Sequence, residues 1–179
     1  AALARVDGRV AVFLEPIALY MSKDLHAPGD GQWLFDYPAQ GQALVPGEGR
    51  VYAPEAGDLV VYTYGNGVPM ALRAARAIEQ QLGWQVRVVD LRWLVPLDAG
   101  FIAAQAASAR RVLVLDEGRH SGGGGEGVVT ALVEAGFGHL PLRRVCGADT
   151  YTPLAGAAMF GLPSDNAVIG AALELAQEP

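Results

Sequence analysis

Short runs of apolar residues alternate along this chain with segments in which apolar residues recur at helical spacing. The runs are rich in β-branched residues, which is typical of strands buried on both faces of a parallel sheet. They predict strands at 59–64, 86–91, 112–115 and 142–145. Because a strand, a helix and a second strand in succession form a right-handed crossover, the pattern predicts a mostly parallel central sheet in an α/β protein.

Helix boundaries are marked by residues that favour helix starts and stops. Pro69 suits a first helical turn, where its missing N–H costs nothing, and Gly83 and Gly136 are typical of helix ends. Helices are predicted from about Pro69 to Leu82, from Asp98 to about Ser108, from Val128 to Ala135, and from Ser164 or Asp165 towards the end of the chain. With helices on both faces of the sheet, the predicted architecture is a three-layer α/β/α sandwich.

The first 57 residues have a different pattern. Val10 to Leu14 predicts a strand that has no preceding partner, which suggests a remnant of something larger, and Glu15-Pro16 ends it. Glycine and proline then become frequent and regular spacing is lost, which indicates an extended linker. Its aromatic residues favour a path along a surface. We therefore predict three parts: the end of a preceding domain at 1–24, a linker at 25–57 and the α/β domain at 58–179.

Composition narrows the function. An apolar fraction of 51% supports a real core, and a net charge of −6 with a pI near 5.0 argues against nucleic acid or an anionic membrane as partner. No apolar run approaches the ~18 residues of a membrane span. With Cys146 as the single cysteine, no disulfide can form within the chain, which favours a reducing compartment and predicts a cytoplasmic location.

A glycine-rich segment carries the most suggestive chemistry. Gly122 to Gly127 matches the Gly-x-Gly-x-x-Gly fingerprint of dinucleotide sites, between a strand and a helix, and Asp149 follows about twenty residues on. However, Glu117 to Ser121 separate it from the strand, and Glu126 puts a negative charge where phosphate would bind. We favour a packing role for these glycines over nucleotide binding. Gly65-Asn66-Gly67 has the same two interpretations, an anion site or a turn.

The remaining reactive residues form no recognisable catalytic set. The histidines have no ligand-like spacing, Ser121 lacks the glycine context of a catalytic serine, and Cys146 has the features of a buried structural thiol. His120, beside Arg119 and after Asp116-Glu117, is either a proton carrier or phosphate contact, or a solvated loop residue, which we favour. The three histidines of the chain, which show no ligand-like spacing, are His26, His120 and His139. The sequence therefore assigns no catalytic, cofactor-binding or metal residue.

Several sequence blocks, in order, resemble one family. They are EPIALY (15–20), DLVVYTYG (58–65), VVDLRWLVPLD (88–98), RRVLVLDEGRHSGGGGEGVVTALVE (110–134) and LRRVCGADTYTP (142–153). The chain thus resembles the C-terminal, transketolase C-terminal-like domain of the thiamine-diphosphate-dependent 2-oxoacid dehydrogenases. The similarity is to the beta subunit of the decarboxylating component, of pyruvate or branched-chain (2-oxoisovalerate) type. Ile17 and Met21 replace usual basic residues, and 155–160 matches poorly.

The resemblance implies a domain that builds the dimer and docks partners within an oxidoreductase. The intact enzyme oxidatively decarboxylates a 2-oxoacid and transfers the acyl group to lipoyl groups. Residues 1–24 would end the pyrimidine-binding domain. Expected partners are a second copy, alpha-type and pyrimidine-binding domains, and the dihydrolipoyl acyltransferase component. Thiamine diphosphate and Mg would be held by other domains, so the chain alone is predicted to bind no cofactor and to be inactive. The alternative is an independent α/β module that binds a nucleotide or phosphate at Gly122–Gly127.

Overall fold

The computed structural model describes residues 8, 10–42 and 44–178, and its centre is a five-stranded sheet. The strands are β1 (Arg50–Tyr52), β2 (Leu59–Thr63), β3 (Val86–Asp90), β4 (Val112–Arg119) and β5 (Leu142–Gly147). They lie in the order β1-β3-β2-β4-β5. Strands β2 to β5 are mutually parallel, which confirms the predicted crossover, and β1 pairs antiparallel with β3.

In the described part of the chain, four α-helices cover the two faces of the sheet. They are α1 (Gly67–Leu82), α2 (Ala99–Ala106), α3 (Gly124–Glu134) and α4 (Asp165–Leu175); the chain also forms short 3-10 helices at Ile17–Leu19 and Ala155–Phe160. Asp98 caps α2 by accepting a 2.8 Å hydrogen bond from the Phe101 amide, and Gly83 ends α1 with a φ of +68°. No α-helix within the described ranges is long and apolar enough to span a membrane.

The core consists of two apolar layers, one on each face of the sheet. Helices α1 and α4 pack on one face, where Leu59, Val61, Ile78 and Leu175 are fully buried. Helices α2 and α3 pack on the other face around Val60, Tyr62, Ile102 and Leu132. Alternate residues of β2 therefore face opposite layers, and the three-layer α/β/α sandwich predicted from the sequence is confirmed.

The predicted strand at Val10–Leu14 is wrong. These residues form no strand, and the side chains of Val10, Val12, Phe13 and Leu14 are exposed. A strand exists only when its backbone groups pair with a neighbouring strand, and the segment pairs with no strand in the described part of the chain. Its apolar alternation therefore produces exposed apolar surface instead of a sheet.

Strand β1 lies in the segment predicted as linker, 25–57, and was not foreseen. It pairs with the edge of β3 through Arg50 opposite Asp90 and Tyr52 opposite Val88. The Arg50 guanidinium lies 4.9 Å from the ring centre of Phe35 and 4.7 Å from that of Tyr52. These cation–π contacts hold the segment along the domain surface, as its aromatic residues indicated.

Candidate functional site at the carboxyl edge of the sheet

The two glycine segments singled out in the sequence lie at the same edge of the sheet. After β2 the chain forms β3, which lies on one side of β2 in the sheet. It then crosses over and forms β4, which lies on the other side of β2. In open α/β sheets, ligands bind in the crevice at such a reversal, beyond the carboxyl ends of the strands. Gly65-Asn66-Gly67 leads from β2 into α1, and Gly122–Gly127 lies between β4 and α3, so both border this crevice.

The side chain of Asp116 fills the crevice. Asp116 belongs to β4 and is only 1% exposed. It accepts a 2.5 Å hydrogen bond from the Tyr64 hydroxyl, which follows β2, and 2.7 Å hydrogen bonds from the backbone amides of Gly118 and Gly125. The amide of Gly125 is one of the unsatisfied donors in the first turn of α3 that would otherwise meet an anion. Asp116 therefore occupies the position that a bound phosphate takes in a nucleotide-binding fold.

The glycines around Asp116 make room for its carboxyl group. A Cβ on Gly118 would lie 2.9 Å from Asp116 Oδ1, and a Cβ on Gly123 would lie 2.7 Å from Asp116 Oδ2 and 2.5 Å from the Arg119 carbonyl oxygen. A Cβ on Gly125 would come within 3.1 Å of Val114. The packing role favoured for these glycines thus has a definite cause, which is a close approach of the loop to a buried side chain.

Two further polar groups close the crevice above Asp116. The amide nitrogen of Asn66 donates a 2.8 Å hydrogen bond to Glu117 Oε2, which joins the loops after β2 and β4. Burial, and then the hydrogen bond to Asp116, raise the pKa of Tyr64 well above its ordinary value of 10. Tyr64 therefore keeps its proton and remains a hydrogen-bond donor across the neutral range.

Asp149 is the acid that follows the glycine-rich segment by about twenty residues, and it fixes the start of that segment by binding Ser121. It accepts 2.8 Å and 2.6 Å hydrogen bonds from the amide and the hydroxyl of Ser121, and these bonds lower the pKa of the Asp149 carboxyl. In a dinucleotide site such an acid binds a ribose hydroxyl. Here its oxygens bind the protein itself, and it does not face a nucleotide crevice.

Asp149 also belongs to a loop that follows β5 and comprises residues 148–161. We term this loop the Ω-loop. The Ala148 amide donates a 2.8 Å hydrogen bond to the Gly161 carbonyl, so the two ends of the loop are adjacent, as in other Ω-loops. Its 3-10 helix, Ala155–Phe160, has no buried residue. The loop side chains that are largely exposed include Tyr151, Leu154, Met159 and Phe160, the last at 93%.

The other candidate residues are dispersed. His26 and His139 lie in separate turns, and His120 lies just beyond β4, where its carbonyl accepts a hydrogen bond from Arg144. Cys146 is partly buried, and burial raises the pKa of its thiol although Arg144 acts in the opposite direction.

The acids Asp90 and Glu15 also have local partners. Asp90 ends β3 beside Arg92, and burial raises the pKa of the Asp90 carboxyl. Glu15 accepts a hydrogen bond from Tyr20, far from Asp116 along the chain.

These donor sets do not fit thiamine diphosphate with its magnesium ion. A clamped diphosphate needs several oxygen ligands around the metal and free donors for the phosphate oxygens. The described residues contain no cluster of three or more His, Cys, Asp or Glu side chains that could hold a metal ion. The Gly125 amide at the start of α3 is already bound by Asp116. The same bond leaves no room for a nucleotide phosphate, so the alternative of a nucleotide module is not favoured.

The fold and this edge define a doubly wound α/β domain whose ligand crevice is closed by its own side chains. Residues 47–166 match the model of the transketolase C-terminal domain family. The chain belongs to the transketolase C-terminal domain family.

Known proteins similar to this chain include beta subunits of two dehydrogenases. The chain is 34% identical over 170 residues to the 3-methyl-2-oxobutanoate dehydrogenase subunit beta of Mycobacterium tuberculosis, covering 94% of this chain and 45% of that subunit. It is 33% identical over 165 residues to the pyruvate dehydrogenase E1 component subunit beta of Staphylococcus aureus, covering 91% and 47%. The chain thus spans just under half the length of these relatives. The resemblance noted in the sequence is confirmed.

A solved structure supports the fold assignment. It is described as a split gene transketolase, inactive beta4 tetramer, and superposes with a TM-score of 0.65 at 26% identity. The superposition covers 79% of this chain and 45% of that chain.

The sequence pattern does not reveal the residue that organises the site. Asp116 was noted only as part of the approach to the glycine loop, because nothing in the local pattern shows that its side chain folds back onto Gly118 and Gly125. One available signal was the acid itself at the end of a run predicted to be buried, Val112 to Leu115. A buried acid must find hydrogen-bond donors, and the nearest unsatisfied donors are the amides of the following glycines.

Proposed function

We propose that this chain serves as the C-terminal, dimer-building and partner-docking domain of a thiamine-diphosphate-dependent 2-oxoacid dehydrogenase of the cytoplasm. The intact enzyme would oxidatively decarboxylate a 2-oxoacid of pyruvate or branched-chain type and pass the acyl group to lipoyl groups of an acyltransferase component. The two dehydrogenase beta subunits, each about twice as long as the matched region, support this proposal.

The observation that carries the docking role is apolar surface at the carboxyl edge of the sheet. Residues 10–21, which we term the N-terminal strap, reach this edge where Pro16 lies against Gly65 at the end of β2. The Ω-loop reaches the same edge from the end of β5. Exposed apolar side chains of the strap are Val10, Val12, Phe13, Leu14, Ile17, Tyr20 and Met21. A concentration of exposed apolar side chains in one segment is typical of protein–protein interaction sites.

Two kinds of partner fit this apolar edge. The strap precedes the domain along the chain, so the alpha-type and pyrimidine-binding domains are the natural occupants of its surface. A second copy of the chain is the other, because cyclic dimers bury self-complementary patches. The structural relative described as a beta4 tetramer supports self-association.

In this proposal the cofactor belongs to other domains of the enzyme. Thiamine diphosphate, when bound, would supply the ylid chemistry that cleaves the 2-oxoacid. The present residues would contribute only the rigid platform, because Asp116 holds β2, β4 and α3 together at the edge nearest the partner surfaces. No residue of this chain is assigned a direct role in catalysis.

The natural gene product tests the proposal directly. An antibody raised against this chain would be used to isolate the protein from its native source, followed by mass measurement and assay with pyruvate and branched-chain 2-oxoacids. We expect a larger polypeptide or complex that oxidises one of these acids and needs thiamine diphosphate. A lone single-domain product without such activity would contradict the proposal.

Sedimentation equilibrium tests the assembly role separately. The isolated 179-residue chain is expected to dimerise at micromolar concentrations, because its apolar edge lacks the domains that would cover it. Replacing Leu154 and Phe160 in the Ω-loop by Ser should shift the equilibrium to monomer. An exclusively monomeric parent chain at high micromolar concentration would count against dimer building.

A further inference from the structure

The three methionines of this chain divide between its core and its apolar surface. Met70 lies in α1, is 8% exposed and belongs to the buried layer between the sheet and the helices α1 and α4. Met21 ends the N-terminal strap and is 82% exposed, and Met159 lies in the 3-10 helix of the Ω-loop and is 70% exposed. Both exposed thioethers therefore lie in the two segments to which the docking role is assigned.

The surroundings of these two sulfurs carry almost no charge. Residues 150–161 of the Ω-loop contain no charged side chain, and Phe160, next to Met159, is exposed. The strap contains one charged residue, Glu15, which accepts a hydrogen bond from Tyr20. Binding through either segment therefore depends on the burial of apolar area, to which an unbranched thioether adapts well.

Oxidation of a thioether changes the contribution of the side chain to such binding. Methionine sulfoxide carries a polar oxygen in place of an apolar sulfur surface. When that oxygen is buried against an apolar partner it loses its hydrogen bonds to water, and this loss is unfavourable. A sulfoxide at Met159 or Met21 therefore opposes burial of the segment that carries it. Oxidation of Met70, in the core, would instead affect the fold.

We propose that Met159 and Met21 are oxidation sites through which a peroxide regulates self-association of this chain at the apolar edge. The peroxide transfers one oxygen atom to the sulfur: its O–O bond breaks, an S–O bond forms, the sulfur loses two electrons, and hydrogen peroxide leaves as water. A dithiol reductant reverses the step through a sulfoxide reductase, giving the thioether, water and a disulfide of the reductant. The inference rests on the dimer-building role proposed above.

Assembly and oxidation compete for the same two sulfurs. Both sulfurs are accessible in the free chain, and pairing of two copies through the strap and the Ω-loop covers them. Oxidant therefore acts on the unpaired chain, and the sulfoxides that it forms hold the chain in the unpaired state. The rate of sulfoxide formation should fall as the protein concentration rises through the dimer dissociation constant.

Sedimentation equilibrium of the 179-residue chain before and after treatment with hydrogen peroxide tests the proposal. The Cys146→Ala background removes the other oxidisable sulfur, and peptide mass spectrometry records which methionines have gained oxygen. We expect sulfoxide at Met21 and Met159, a reduced Met70, and at least a tenfold rise in the dimer dissociation constant. The two methionine sulfoxide reductases, one for each sulfoxide epimer, together with a dithiol should restore the original constant.

Leucine variants assign the effect to the two exposed sulfurs. Met21→Leu and Met159→Leu keep the apolar volume and remove the sulfur, so the double variant should dimerise like the parent and remain a dimer in peroxide. Met70→Leu is the matched control, because it removes the buried sulfur and should leave the sensitivity to peroxide unchanged. Circular dichroism before and after treatment verifies that each chain stays folded.

The possible failures distinguish this inference from the proposed function. A dissociation constant that is unchanged when both sulfurs carry oxygen would overturn the inference and leave dimer building intact. The same holds for a double variant as sensitive as the parent, and for an oxidised chain that dissociates only because it unfolds. A parent chain that is monomeric before any peroxide is added would overturn both, since the sulfoxides would have no assembly to oppose.

Discussion

The hydroxyl of Tyr64 donates a 2.5 Å hydrogen bond to Asp116, and this bond joins β2 to β4 at the point where the winding of the sheet reverses. Related α/β folds keep this point open for a ligand. Here the Asp116 side chain instead accepts a hydrogen bond from the Gly125 amide in the first turn of α3. In the proposed function the domain is a structural platform, and the loops around the crevice are its interaction surfaces.

Removing Asp116 is expected to destabilise the domain strongly. Asp116→Ala leaves three donors, on Tyr64, Gly118 and Gly125, without an acceptor, and we expect a loss of about 3 kcal/mol in the free energy of unfolding. Tyr64→Phe deletes one donor and should cost about 1–2 kcal/mol. Urea denaturation followed by circular dichroism measures both. Glu79→Gln, at an exposed position of α1, is the control, and an Asp116→Ala variant as stable as this control would contradict the role of Asp116.

Three glycine-to-alanine substitutions are expected to change the stability differently: two should lower it by unequal amounts and one should raise it. Gly123→Ala brings a Cβ to 2.5 Å from the Arg119 carbonyl and should cost at least about 2 kcal/mol of stability. Gly122→Ala has open space but a φ of +73°, which costs roughly 1 kcal/mol. Gly170→Ala, within α4, should stabilise by about 0.5–1 kcal/mol because alanine favours the helix. Thermal melting of the three variants side by side gives the order; a harmless Gly123→Ala would refute the close approach.

The Ser121–Asp149 pair predicts a local effect of acid. The two hydrogen bonds from Ser121 hold the pKa of Asp149 below its ordinary 3.8, so the native state favours the ionised form. The pair therefore stabilises the loop above the unfolded-state pKa and loses this contribution as the pH falls through the lower, folded-state pKa. Titration of the Asp149 carboxyl by carbon NMR should show the lowered value. Ser121→Ala should raise the pKa towards 3.8, whereas Ser164→Ala, at the cap of α4, should leave it unchanged.

Thiamine diphosphate is expected not to bind to the chain alone. Calorimetric titration with the cofactor and Mg²⁺ should give no measurable heat of binding, and no 2-oxoacid should be decarboxylated, because Asp116 already binds the amide that a phosphate would need. A far-UV circular dichroism spectrum of the same preparation verifies that the protein is folded. A stoichiometric site of micromolar affinity would contradict this expectation.

Much of the fold could be predicted from local patterns. The runs at Leu59, Val86 and Val112 are too apolar for anything but buried strands, and Gly83 and Asp98 mark helix boundaries that the structure confirms. Strand β1 could not be foreseen, because its three residues form a strand only through pairing with β3, more than thirty positions away. The start of α3 at Gly124 was also missed, since glycines carry no apolar signal and the helix was predicted from Val128.

The candidate site was likewise predicted only in part from the sequence. The sequence located the glycine segments and Asp149, and it favoured packing over nucleotide binding. It did not show why packing requires glycine, because the cause is contact with a side chain folded back from β4. How the chain divides into domains at residues 24 and 57 stays a prediction.

The hydrogen bond between the Ala148 amide and the Gly161 carbonyl has an evolutionary consequence. It closes the base of the Ω-loop, so that the largely exposed residues 151–160, which follow Asp149, contribute little to the packing of the sheet. Their identity can drift or be exchanged wholesale while the scaffold keeps folding. Members of this family could thus acquire different binding preferences by swapping one short cassette, and grafting such cassettes between homologues offers a direct way to redirect assembly.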